Sequence, residues 1–120
     1  MKMIVAIIRP ERLDAVQEEL QRVLDEEDRY RLTVDTVEGH GAQLGEVELF
    51  RGRAVRPRLV PKTRVMIAVN EPYVEKTIDA ILRGARTEGA EGAVGDGKIF
   101  VMPLDEVVRI RTGERGQPAI

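Results

Sequence analysis

The chain contains no cysteine and no tryptophan, a single histidine (His40), and aromatic residues at only 3%. Without cysteine, disulfides, thiolate zinc sites and cysteine nucleophiles are excluded. One histidine cannot build a His-rich metal site. So few rings leave no stacking platform of the kind single-strand nucleic-acid binders use. The net charge of −2 gives no basic surface for nucleic acid in general, although 33% of residues are charged. No long hydrophobic run is present either. The apolar stretch 3–8 stops at Arg9-Pro10, too short for a membrane span and without the cleavage site of a signal peptide. The expected location is the cytoplasm, with no membrane insertion.

What is there suffices for one domain. A length of 120 residues and 42% hydrophobic content support one core but hardly two. Residues 3–8 read as a central strand covered on both faces. Pro10 suits a first helical turn, and Leu13, Val16, Leu20 and Val23 follow at helical spacing. The charged run 25–29 ends that helix in a solvated loop. Residues 32–37 alternate as a strand, which Gly39 and Gly41 break. No period emerges over 42–60, where Arg51, Arg53, Arg56 and Arg58 crowd around Gly52 and Pro57; an irregular segment of that length in a compact domain points to function or disorder.

Regular structure resumes at Lys62, with Val65, Ile67 and Val69 alternating against Arg64, Met66 and Ala68. Asn70 or Glu71 caps a second helix whose apolar stripe is Val74, Ile78, Ile81, Leu82 and Ala85. A glycine-rich loop over 87–97 leads into a strand over 98–102, read as buried. Residues 105–110 add a short final strand before a polar tail. The order β-α-β-β-α-β is the ferredoxin-like α+β plan with an extra C-terminal strand. Two helices cover one face of a four-stranded sheet, yet 4–8 and 99–102 are apolar on both faces. The uncovered face calls for a second copy of the chain.

The strongest chemical signal is Gly92-Ala93-Val94-Gly95-Asp96-Gly97-Lys98. Its spacing satisfies G-x-x-x-x-G-K, in which backbone N–H groups close on phosphate oxygens and a lysine supplies charge. Ile99 stands where a P-loop needs a Mg²⁺-holding Ser or Thr, and a strand follows instead of a helix. A plain turn before a strand is the competing reading. Arg109 and Arg111, two apart in the expected final strand, would project from one face and repel unless an anion lies between them. Solvated edge charges are the alternative. Lys62 by itself reads as an ordinary solvated lysine at a strand start, and His40 as a turn residue. No acid/base pair and no nucleophile with a base has defined spacing, so the chain is not expected to be an enzyme.

These pieces, in this order, resemble the PII nitrogen-signalling proteins over nearly the whole chain. The resemblance rests on Gly95-Asp96-Gly97-Lys98-Ile99-Phe100-Val101, Arg109-Ile110-Arg111-Thr112-Gly113-Glu114, Ile7-Ile8-Arg9-Pro10 with Leu13-Asp14, Gly39-His40-Gly41 and Glu48-Leu49-Phe50-Arg51-Gly52. It implies one PII-type domain over 1–120 and a homotrimer with ATP/ADP sites in the clefts between neighbours. The phosphates would be held by Gly95, Asp96, Gly97, Lys98, Arg109 and Arg111. Thr33, Gly39, Gly41 and Ala68 match positions near the nucleotide, and Thr87 opens the phosphate-binding loop (87–98). Gln43 matches the glutamine that helps hold Mg²⁺ and 2-oxoglutarate; Lys62 matches the lysine that pairs with a 2-oxoglutarate carboxylate. Residues 42–60 match the T-loop, with Phe50, Arg51, Gly52 and Val55 in its docking part.

The implied targets are an ammonium transporter or a nitrogen-metabolism enzyme or regulator. Val55 stands where the family carries a uridylylated tyrosine, so that modification is not expected. Arg53 occupies a phosphorylated-serine position of some members, Ala42 replaces an arginine and Met66 an acid. Insertions lengthen the loop near 25–29 and the glycine-rich loop near 88–93. The alternative is a divergent sensor of adenylate nucleotides and another small anion, such as bicarbonate, without a 2-oxoglutarate response. A phosphoryl-transfer enzyme lacks a metal-holding Ser/Thr and a base, and a ligand-free scaffold would leave the glycine loop without a role.

Overall fold

The computed structural model describes residues 1–24, 31–41, 49–50, 53–54, 58–87 and 89–120. Strand β1 (Lys2–Ile8) leads through a 3-10 turn at Pro10–Arg12 into α1 (Leu13–Val23). Strand β2 (Thr33–His40) follows, then the short strands β3 (Leu49–Phe50) and β4 (Arg53–Ala54), and the long β5 (Leu59–Val69). A second 3-10 turn, Glu71–Tyr73, opens α2 (Val74–Ala85), and β6 (Gly97–Pro103) completes the sheet. The main sheet runs β2-β5-β1-β6 with every pair antiparallel, while β3 and β4 form a ladder of their own. This is the expected ferredoxin-like plan.

The core lies between this sheet and the two helices. Alternate residues of β1 and β5 (Ile4, Ala6, Ile8, Val65, Ile67 and Val69) are buried against Val16 and Leu20 of α1 and Ala80, Ile81 and Ala85 of α2. Each fully buried Val, Leu or Ile contributes about 1.5–3 kcal/mol. The helices touch at Gly84, where a Cβ would come 2.6 Å from the Val16 Cα and 2.9 Å from the Ala15 carbonyl oxygen. No side chain fits there, which is why glycine stands inside a helix that it intrinsically weakens.

Several elements differ from the sequence reading. Strand β2 continues through Gly39 to His40, and β5 begins at Leu59 rather than Lys62, because 39–40 pair with 59–60. Pro61 is tolerated inside β5 because β1 ends opposite Thr63, leaving Pro61 a neighbour on one side only. Asn70 makes no side-chain cap; the Tyr73 amide donates to its carbonyl instead. Strand β6 is not buried in the single chain: as an edge strand it leaves Phe100, Val101 and Met102 more than 40% exposed.

The final strand expected over 105–110 is reduced to one bridge, Val108 with Arg115. The segment folds back on itself, with the Arg109 amide donating to the Glu114 carbonyl and the Gly116 amide to that of Val107. Ile110 to Thr112 form the turn, so the two-residue period that was to align Arg109 with Arg111 does not apply.

Candidate functional site

Antiparallel register decides which predicted residues share a face. With Ile4, Ala6 and Ile8 turned to the helices, Met3, Val5 and Ile7 line the open face. Their partners line it too: Ala68, Met66 and Arg64 on β5, and Met102, Phe100 and Lys98 on β6. Thr33 pairs with Met66, Asp35 with Arg64 and Val37 with Lys62, which adds these three residues of β2. Thr33, Lys62, Ala68 and Lys98, assigned from separate motifs, therefore stand on one surface. A broad concavity of about 730 Å³ runs along it beside Met3, Val5, Met66, Phe100 and Met102.

One end of this face gathers most of its charged side chains, with cations in excess. Continuing the register one residue past Ile8 sets Arg9 between Asp96 and Lys62. The next row holds Lys98, Ile7, Arg64 and Asp35. Arg64 forms a bidentate pair with Asp35, Nε to Oδ1 at 2.9 Å and Nη2 to Oδ2 at 2.5 Å. Hydrogen bonding and charge from Arg64 lower the exposed Asp35 carboxyl below its usual value.

The glycine-rich loop closes over this end. After a 3-10 turn at Gly89–Glu91, the Asp96 amide donates to the Ala93 carbonyl and Gly97 starts β6. Gly97 has φ +107, and a Cβ there would lie 1.7 Å from the Ile7 carbonyl oxygen. Only glycine lets the loop turn so tightly onto β1. Lys62, 8% exposed, donates from Nζ to the Gly95 carbonyl at 3.0 Å. The residue expected to meet a small dicarboxylate thus touches the loop expected to meet phosphates.

Asp96 is the hub of the loop. Its carboxylate accepts from the Thr87 hydroxyl at 2.6 Å, the Thr87 amide at 3.0 Å, the Ala93 amide at 2.8 Å and Arg9 Nε at 3.0 Å. Arg9 Nη2 also donates to the Val94 carbonyl at 2.8 Å. Burial alone would raise the Asp96 carboxyl. The Thr87 hydroxyl, the amides of Ala93 and Thr87, and Arg9 outweigh it and hold the group well below the usual carboxylate range. Thr87 and Asp96 therefore serve the loop's internal structure here. Arg9, quoted in the sequence only as part of a motif, had no assigned role. Carrying the strand register past Ile8 is the signal that would have found it.

The remaining assignments fall elsewhere. Gly39 pairs with Val60, and the buried Gly41 donates its amide to the Arg58 carbonyl at 3.1 Å. Arg109 donates from Nη2 to the carbonyls of Pro118 and Ile120, with Nη1 3.6 Å from Glu114, and Arg111 is exposed. Neither is brought to the loop by a hydrogen bond or ion pair among the described residues. Gln43, Arg51, Gly52 and Val55 lie outside the described residues; Phe50 is in β3. Beneath the loop, on the helix side, a cavity of about 240 Å³ runs between Ile8, Ile81, Leu82, Ala85 and Ile99. It is smaller than the roughly 300–1,000 Å³ of ordinary ligand pockets. Among the described residues no three His, Asp or Glu converge on a metal position.

The model of the family described as "Nitrogen regulatory protein P-II" matches residues 1–114. The chain belongs to the P-II family. Among curated relatives, Nitrogen regulatory protein GlnK1 of Methanosarcina mazei is 50% identical over all of this chain and 97% of its own length. Nitrogen regulatory protein P-II 2 of Methanothermobacter thermautotrophicus is 48% identical with the same coverage. The crystal structure of Arabidopsis thaliana PII bound to citrate superposes with a TM-score of 0.75 at 36% identity, covering 99% of this chain and 91% of that one. These relatives are regulatory proteins by name, and the shared fold agrees with the ferredoxin-like reading. Among the described residues no helix is long and apolar enough to cross a membrane.

Proposed function

We propose that this P-II chain is a sensor that binds ATP or ADP and, with Mg-ATP, 2-oxoglutarate, and passes the result to protein targets through residues 42–60. The observation that carries the reading is the cationic end of the open face. Lys62 and Lys98 stand on adjoining rows with Arg64, paired to Asp35, and Arg9, paired to Asp96, under a glycine loop whose Gly95 carbonyl is held by Lys62. Such an end suits a polyphosphate chain. The nucleotide phosphates would lie along 95–98, with Thr33, Gly39, Gly41, Ala68 and Thr87 around the rest of the ligand.

The cleft is completed by a neighbouring copy. The apolar open face supports this, since Phe100, Val101 and Met102 expose large side chains along it and along the β6 edge. We take the assembly to be a trimer, with Arg109 and Arg111 reaching the phosphates across the subunit boundary. A magnesium ion would be held by Gln43 together with the nucleotide's phosphates. Lys62 would exchange the Gly95 carbonyl for a carboxylate of 2-oxoglutarate, a stronger charge-assisted partner. Ligands then select between shapes of the target-docking segment through unequal affinity for them. A citrate-bound relative agrees with a site that accepts small carboxylates.

Isothermal titration with Mg-ATP, then with 2-oxoglutarate, tests the reading. Sequential heats in the wild type and loss of the second in Lys62→Ala are expected. No 2-oxoglutarate heat after saturation with Mg-ATP would sink the dicarboxylate assignment. A heat with bicarbonate in its place would identify the divergent adenylate-and-anion sensor.

A further inference from the structure

The loop expected to hold phosphates carries a carboxylate in its centre, which should repel them. We propose that Arg9 is a positioning residue for phosphate binding: it neutralises Asp96 and fixes which way the peptide groups of the loop face. The inference rests on the nucleotide reading above.

Three observations support it. First, the Asp96 carboxylate is occupied by four donors from Thr87, Ala93 and Arg9, so it acts on the loop and not on a ligand or metal. Second, Arg9 and Asp96 are largely buried, their side chains 15% and 16% exposed, so their charges are little screened by water. Removing Arg9 would leave an uncompensated anion beside the phosphates.

Third, Arg9 Nη2 holds the Val94 carbonyl while Lys62 holds that of Gly95. Two carbonyl oxygens that would otherwise be free to face an anion are each tied to a cation. In a trans peptide the N–H points opposite the C=O, so the Gly95 amide is turned away from Arg9. A lysine at position 9 would keep the charge but could not make the Nε and Nη2 contacts together in fork geometry.

The test compares wild type, Arg9→Ala and Arg9→Lys, each as full chain, by titration with Mg-ATP and with adenosine. Amide exchange over 87–97 is followed without nucleotide. Arg9→Ala, which removes the contacts to both Asp96 and the Val94 carbonyl, is expected to weaken Mg-ATP at least about tenfold, the scale of one charge-assisted hydrogen bond, to leave adenosine unchanged, and to speed loop exchange. Arg9→Lys should fall between, and it carries the test if Arg9→Ala does not fold. Wild-type Mg-ATP affinity in either variant, or an equal loss for adenosine, would overturn the positioning role. No Mg-ATP binding by the wild type would instead overturn the nucleotide reading, and this inference with it.

Discussion

Replacing Asp96 by asparagine asks most directly whether one carboxylate shapes the glycine-rich loop. An amide has one oxygen where the carboxylate has two, so its NH₂ must face one of two donor pairs. Placed at Oδ2 it would confront the amides of Thr87 and Ala93; at Oδ1 it confronts Arg9 Nε and the Thr87 hydroxyl. The second arrangement costs less, because the hydroxyl can rotate to accept. It still forfeits the Arg9 bond, a charge-assisted contact contributing about 1.5–3 kcal/mol. At about 2 kcal/mol the opening equilibrium of the loop shifts roughly 30-fold.

Because the loop sits at the sheet's end, most of that cost should appear as local opening. The assay is therefore amide exchange, with protection at Ala93 and Thr87 falling about 30-fold. The melting temperature should drop far less than the roughly 2–8 °C per kcal/mol of a global loss. The native carboxyl is depressed, so its contribution is complete above the ordinary aspartate value near 3.9 and is lost as pH falls through the lower native value. Wild-type protection should accordingly fade at acid pH, while Asp96→Asn shows no such fading. Wild-type protection factors at both amides in the variant would refute the hub role.

Other outcomes follow from the same contacts. Gly97→Ala places a Cβ into the Ile7 carbonyl at a positive φ, so β6 should detach at its start and Mg-ATP affinity should fall beyond detection by titration. Gly84→Ala forces α1 and α2 apart at Val16; overpacking of this kind costs about 1–3 kcal/mol, read as a lowered melting temperature. Phe100→Asp charges the open face and should convert the proposed trimer to monomers by light scattering, whereas a trimer of unchanged mass would place the interface elsewhere.

Where burial repeats locally, the fold was legible. Val16 and Leu20, and Val65, Ile67 and Val69, point inward as their spacing requires. Elements defined by a partner were harder to read. Strand β6 has a core-like composition, but as an edge strand its exposure depends on what lies beyond the single chain. The expected last strand closes instead on its own turn, an outcome decided by the backbone bonds of Arg109, Gly113 and Gly116 rather than by side-chain pattern. Within the candidate site, Lys62 and 95–98 were identified as separate motifs. Their contact depends on a lysine side chain reaching 33 residues along the sequence to a backbone carbonyl, which no spacing rule encodes. Asp96 is a second case: the family resemblance implies a place beside the phosphates, while the bonds its carboxylate makes to Thr87, Ala93 and Arg9 inside the loop are visible only in the fold.

The Asp96 carboxylate also has a bearing on length. By binding Thr87 on one side and Ala93 on the other, it pins both feet of the intervening stretch at a single point. Whatever lies between them becomes an excursion whose size need not alter 95–98, and lengthening a closed excursion costs little because closure entropy grows only logarithmically. Extra residues near 88–93, which the family resemblance implies, would then hang outside a fixed knot. The same place should accept a grafted peptide or a fluorophore site, giving a reporter mounted beside the proposed nucleotide site that leaves 95–98 intact.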